Sequence, residues 1–165
     1  MGIVVWAKRA LNLLTATNVW TGPNTFQTAT LAQQTTSNGA IVTFGWVTEL
    51  LTINTGGTTT DTVIDLPANS IIESVVGRVT TALTVATSFD VGDPTTTSRF
   101  ATGIAVALNT TFVGLNHWKG SVSTDAAGPT QGSTAKVRIT ANGGTPGAGV
   151  VRLTVFYRTL TPPTS

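Results

Sequence analysis

The sequence predicts an all-β chain: an antiparallel β-sandwich, of jelly-roll type, behind an extended N-terminal arm. Three observations carry that expectation. Roughly one residue in five is Thr, which is β-branched, stiff at χ1 and better suited to a pleated strand than to a helix. The 17 Gly and 7 Pro are spread along the whole chain as turn signals. Near the C-terminus the residues alternate strictly. Val151, Leu153, Val155 and Tyr157 fall on one face, and Arg152, Thr154, Phe156 and Arg158 on the other. Period-two alternation marks a strand with one face on a core. About eight such segments separated by turns suggest a sandwich.

Residues 1–38 read as the arm and residues 39–165 as the sandwich domain. Within the arm, residues 4–14 suit either a short helix, being rich in good helix formers, or an extended segment. Trp20 and Phe26 flank the turn formers Gly22, Pro23 and Asn24, and residues 33–38 read as a polar linker. The body opens with a long strand over residues 41–54, with Gly45 as a candidate bulge. After the Gly/Thr turn at 55–60 comes a short strand at 61–66, closed by Pro67 to Ser70. A second long strand is expected over 71–86 and a short one over 88–91. Segments 100–108 and 111–115 read as a pair across Asn109 and Thr110. Segments 133–141 and 149–159 read as a final hairpin joined by NGGTPGAG. In the first of these, Lys136, Arg138 and Thr140 alternate with Val137, Ile139 and Ala141.

Charge is scarce and unevenly placed. Asp, Glu, Lys and Arg make up 10% of the chain, against about 25% in an average soluble domain. Residues 10–48 contain none of them. A free-standing domain scatters charge over its surface to stay soluble and to discourage edge-to-edge pairing. A charge-free run of that length is therefore expected to lie against copies of the chain or another protein. Net charge is only +2 and the basic residues are dispersed, which argues against nucleic acid as a partner. With no Cys, disulfides and thiolate metal sites are excluded. The apolar run at residues 3–7 is too short for a signal peptide, and Lys8 and Arg9 lie on its wrong side. No stretch approaches the roughly 20 apolar residues of a membrane span. Synthesis is expected in the cytoplasm, with no membrane association.

Catalytic chemistry is hard to assemble from these residues. The single His, His117, cannot form a metal cluster, and beside Trp118 it reads as packing or ligand contact. Glu49 and Glu73 could in principle form a carboxylate pair of the glycosidase kind, but both fall inside strands, where solvated positions are the plainer reading. Asp90, Gly92, Asp93 and Pro94 suit a turn and lack the ligand spacing of a calcium loop. The Gly-rich stretches have no following helix or Lys-Ser/Thr pair, so they read as turns and not phosphate cradles. The expectation is no enzyme activity, no cofactor and no metal.

One resemblance extends this reading. SFDVGD at 88–93, RFA at 99–101, KVRITANGG at 136–144 and GVVRLTVFY at 149–157 together resemble a β-sandwich module of tailed-bacteriophage structural proteins. Similar modules end fibres and spikes of phages and of gene transfer agents. The resemblance covers residues 71–158 and implies a virion protein. WTGPNTF at 20–26 is similar to short repeats in phage fibres. The first expectation is a decoration or cement protein on the outer capsid, a homotrimer bound to the major capsid protein. Trp6, Lys8, Arg9, Trp20 and Phe26 would make its capsid or intersubunit contacts, since buried aromatics dominate interface energy. Trp46, in the body, is expected in the core. The alternative is a short fibre or spike tip binding a host glycan through Asn116, His117, Trp118 and Lys119. The arm is too short for the repeated shaft of a fibre. A lectin-like accessory domain would fit the body but leave the arm unexplained.

Overall fold

The computed structural model describes residues 31–35, 39–118 and 130–163. Their strands are β1 (Leu31–Thr35), β2 (Ile41–Thr52), β3 (Thr59–Leu66), β4 (Ser70–Thr81), β5 (Ser88–Gly92), β6 (Ala101–Ala105), β7 (Thr111–Gly114), β8 (Thr130–Gln131), β9 (Ala135–Asn142) and β10 (Val150–Thr161). A single 3₁₀ turn, Asn116–Trp118, interrupts them. One sheet runs β1-β2-β10-β4-β7, with β8 also on β4. The other runs β3-β9-β5-β6. All the pairings are antiparallel.

Four of these pairs are nested in the chain: β2 with β10, β3 with β9, β4 with β7 and β5 with β6. A long hairpin whose two arms pair outside-in and then roll into two sheets is a jelly roll. The sandwich expectation therefore stands at the level of topology. The inward residues follow the alternation seen in the sequence. Val151, Leu153 and Val155 of β10 and Val137 and Ile139 of β9 are fully buried, with Leu66, Ile72, Val75, Val79, Phe89, Val91 and Phe100 around them. At about 1.5–3 kcal/mol per large buried side chain, this layer is the main favourable term of the fold.

Four local expectations are corrected. Segments 133–141 and 149–159 do not form a hairpin: β9 lies in the four-stranded sheet between β3 and β5, and β10 in the other sheet between β2 and β4. Segments 100–108 and 111–115 do not pair either, since β6 joins β5 and β7 joins β4. In both cases the intervening turn carries the chain across the core. Asn109, left-handed at φ 68°, is pinned to β4 by Asn109 N–H donating to Val79 O and Val79 N–H donating to Thr110 O. Gly45 is not a bulge, because β2 and β10 stay in register from Ile41↔Thr161 to Thr52↔Val150. It is a clearance position, where a Cβ would stand 2.7 Å from Cζ of Tyr157. Finally, residues 33–35 of the expected 33–38 linker belong to a strand, β1, laid along β2 with Leu31 opposite Gly45 and Thr35 opposite Ile41; residues 36–38 lie outside the described residues.

Between β5 and β6 the chain closes on a buried polar plug. Asp93 Oδ1 accepts from the backbone N–H groups of Thr95 and Thr96, each at 2.8 Å. Its other oxygen takes Nη1 of Arg99 at 2.8 Å. Arg99 also donates to Gln131 Oε1 at 2.6 Å and to Thr130 O at 3.0 Å, so one guanidinium ties this loop to β8. Gly92 permits the tight turn, since a Cβ there would lie 2.0 Å from Thr96 O. His117 sits beside the plug at 2% exposure. Its ring meets Phe100 edge-on at 5.2 Å, and its Nε2 lies 2.9 Å from Ile72 O. That carbonyl can only accept, so Nε2 carries the proton in the neutral ring and Nδ1 has no partner among the described residues.

Asp93→Ala strands a buried guanidinium and is expected to cost about 3–5 kcal/mol in denaturant unfolding. Asp61→Asn, at the half-exposed Asp61–Arg138 pair, is expected to cost no more than about 1 kcal/mol. Burial holds the His117 imidazole below its ordinary pKa; the nearby Arg99 charge acts in the same direction and the Ile72 carbonyl opposes both. The unfolded chain, titrating near 6.5, then binds the extra proton first. Stability is expected to be full above that value and to fall as pH drops below it. This component of the slope should vanish in His117→Gln, as read by urea unfolding across that range.

Candidate interaction face

The two outer faces of the sandwich differ in chemistry. On the four-stranded sheet, outward charges are paired across strands. Arg138 grips Asp61 with Nε and Nη2 at 2.5 and 2.7 Å, and this contact, above all the hydrogen bond, holds the Asp61 carboxyl below the usual carboxylate range. Lys136 Nζ lies 2.7 Å from Asp65. Asp90 Oδ1 accepts from Thr102 Oγ1 and Gly103 N–H at 2.9 and 2.8 Å. This face satisfies itself.

The outer face of the other sheet is apolar. The β2–β10 register sets Trp46 directly opposite Phe156, Phe44 opposite Arg158, Leu50 opposite Arg152 and Val42 opposite Leu160. Phe44 and Trp46 are each 42% exposed and Phe156 39%, and Leu50 and Leu160 are more open still. Thr48 and Thr154 bridge the rows through their hydroxyls at 2.8 Å. Val113 of β7, opposite Val76 of β4, extends the apolar character to the far edge. Single exposed apolar residues are ordinary, but a contiguous row of aromatic and aliphatic side chains marks an interaction surface.

Trp46 is thus not in the core, contrary to expectation. The parity of β2 decides this. Val47 and Leu51 point inward, so Phe44, Trp46, Thr48 and Leu50 must point out. Gly45 shares the inward parity but leaves its space to the Tyr157 ring. No composition rule distinguishes the two faces of such a strand, and the aromatics of β2 went to the outer one.

Of the residues expected at the interface, Trp6, Lys8, Arg9, Trp20 and Phe26 lie outside the described residues, as do the 4–14 segment and Lys119. Of the proposed glycan quartet, Asn116, His117 and Trp118 are described. His117 is buried, while Trp118 is 44% exposed with its Nε1–H donating to Glu73 O at 2.8 Å. Asn116 is half-buried. Glu49 and Glu73 have separate partners. Glu49 Oε2 accepts from Val63 and Ile64 N–H at 2.9 and 3.1 Å, serving amides freed where the β3–β9 register slips. Glu73 pairs with Arg158 Nε at 2.8 Å. Asp93, in the turn weighed as an oxygen donor set, is occupied by Arg99 and two amides.

No protein-family model matches the chain, and no curated protein matches it. Among solved structures it is similar to a chain of the cyanophage Pam1 capsid asymmetric unit, with 22% identity, a TM-score of 0.46 and coverage of 88% of this chain and 99% of that one. It is also similar to a chain in the acid-stable capsid of Helicobacter pylori bacteriophage KHP30, with 16% identity, a TM-score of 0.45 and coverage of 72% and 96%.

Proposed function

We propose that this chain is a phage virion protein that decorates the capsid, seating the apolar face of its six-stranded sheet on a neighbouring protein. One observation carries the reading. The charge-free run of residues 10–48 ends on that face, where Phe44, Trp46 and Thr48 point outward beside Phe156. The end of the sequence feature that signals a covered segment and a surface left open among the described residues lie on one strand, β2. The motif resemblance to phage structural modules supports a virion setting. In this reading the partner is the major capsid protein or a sister subunit of a homotrimer. The further contacts expected of Trp6, Lys8, Arg9, Trp20 and Phe26 belong to the same reading. Several modest contacts per oligomer then add through effective concentration.

Trp46 and Phe156 face each other at the middle of the row, where hot spots concentrate. The double variant Trp46→Ser/Phe156→Ser is expected to fold with its core unchanged, since neither ring packs into it. Its attachment to shells lacking the protein should weaken by at least about thirtyfold, the effect of losing one hot spot of about 2 kcal/mol, as read by co-sedimentation. Attachment equal to wild type would overturn the role of this face. Copy number per virion, from quantitative gels, separates decoration from a glycan-binding tip: hundreds of copies are expected, whereas a few dozen or fewer would favour the fibre or spike reading.

A further inference from the structure

At one end of the apolar face two arginines stand directly opposite each other. Arg152 of β10 pairs in register with Arg78 of β4, and both are exposed. Like charges facing each other across a sheet are destabilising, so such a pair normally has a counter-charge. Six of the chain's seven carboxylates are engaged elsewhere: Glu49 on the Val63 and Ile64 amides, Asp61 on Arg138, Asp65 on Lys136, Glu73 on Arg158, Asp90 on Thr102 and Gly103, and Asp93 on Arg99. The seventh, Asp125, lies outside the described residues. Among the described residues no carboxylate pairs with Arg78 or Arg152.

The pair is also positioned. Arg78 Nη2 donates to Asn109 Oδ1 at 2.7 Å, and Asn109 is itself fixed by its left-handed backbone and its bond to Val79. The two arginines border a depression of about 330 Å³, whose other walls are Val76, Gly77, Thr111, Phe112 and Thr154. Leu50, beside Arg152 on β2, joins this depression to the aromatic row.

We propose that Arg78 and Arg152 form a carboxylate-receiving fork, taking an Asp or Glu side chain of the protein on which the apolar face seats. The inference rests on the decoration reading and gives its partner a chemistry: an acidic side chain next to an apolar patch. Guanidinium groups bind carboxylates through paired, charge-assisted hydrogen bonds. A counter-charge supplied by the partner turns a repulsive pair into a determinant of orientation.

The test follows the arginine Nε–H signals of the full-length, isotope-labelled chain during titration with an oligoglutamate peptide, with inorganic phosphate and with a short DNA duplex. With oligoglutamate the Arg78 and Arg152 signals are expected to move saturably while that of Arg138 stays still. Arg152→Gln is expected to weaken the effect on the order of tenfold. The fork is overturned if the two signals move no more than that of Arg138, if phosphate or DNA binds there more tightly than oligoglutamate, or if Asp125→Asn shifts them in the free chain. Shell attachment separates the two readings. Failure of the wild-type chain to attach counts against decoration alone. Attachment of Arg78→Gln/Arg152→Gln as tight and as salt-sensitive as wild type counts against the fork alone.

Discussion

The twelve-residue ladder between β2 and β10 is the constraint on which the rest of the molecule depends. It is the outermost of the four nested pairs, and it runs without a register shift from one end to the other. Because side chains alternate across a strand, that single register fixes two surfaces at once. Inward it sends Leu51, Val151, Leu153 and Val155 to the core. Outward it lines up Phe44, Trp46 and Leu50 with Arg158, Phe156 and Arg152. A slip of one residue would bury the arginines and expose the valines, so the core itself holds the apolar row in place.

The remaining interactions divide between stability and recognition with little overlap. Most carboxylates serve the chain's own structure, either in cross-strand ion pairs on the four-stranded sheet or as caps for backbone amides, as with Glu49 and Asp93. The half-exposed pairs contribute little each. The Asp93–Arg99 plug differs because both partners are buried, and its guanidinium spans the loop after β5 and strand β8. This leaves the outer face of the six-stranded sheet, apart from the Glu73–Arg158 pair at its margin, without internally satisfied charge. Its chemistry is apolar in the middle and cationic at one end. Such a surface offers a partner both area to bury and a direction in which to bury it.

Much of the fold was legible in the sequence because alternation is a local signal. The inward sets of β9 and β10 follow directly from it, and so do the positions of β2, β3 and β5 to within a few residues, whereas β4 ends at Thr81, five residues before the expected end. Pairing partners are not local, and both expected hairpins differ from the structure for the same reason. Asn109 with Thr110 and the NGGTPGAG stretch look like hairpin turns because they are turns. Whether a turn returns the chain to the same sheet or carries it over the core depends on which strand edge is already occupied. In a nested topology the neighbours of β9 are β3 and β5, and those of β10 are β2 and β4, so their connection has to cross. The candidate site was half legible. The charge-free run points to a covered segment, but an aromatic in a strand is usually core, and nothing local in the sequence sets Trp46 on the outer face. Arg78 and Arg152 were invisible as a pair, being far apart in sequence and brought together only by the β4–β10 register.

Among the described residues a second feature of the same strand is left open. β1 covers the outer edge of β2 only along residues 41–45, and β10 takes the other edge throughout. Among the described residues, no strand pairs with the β1-side edge over residues 46–52. An edge of that length, carrying no Lys or Pro and only Glu49 as a charge, has few of the devices that protect isolated sheet edges. A segment laid along it would gain main-chain hydrogen bonds, and its outward side chains would fall beside Trp46 and Leu50. Edge and face thus favour the same kind of occupant: an extended, largely apolar stretch of protein rather than a small ligand or a sugar. Among the described residues, backbone and side-chain demand thus converge on one strand, which supports the proposed seating of β2 against a partner.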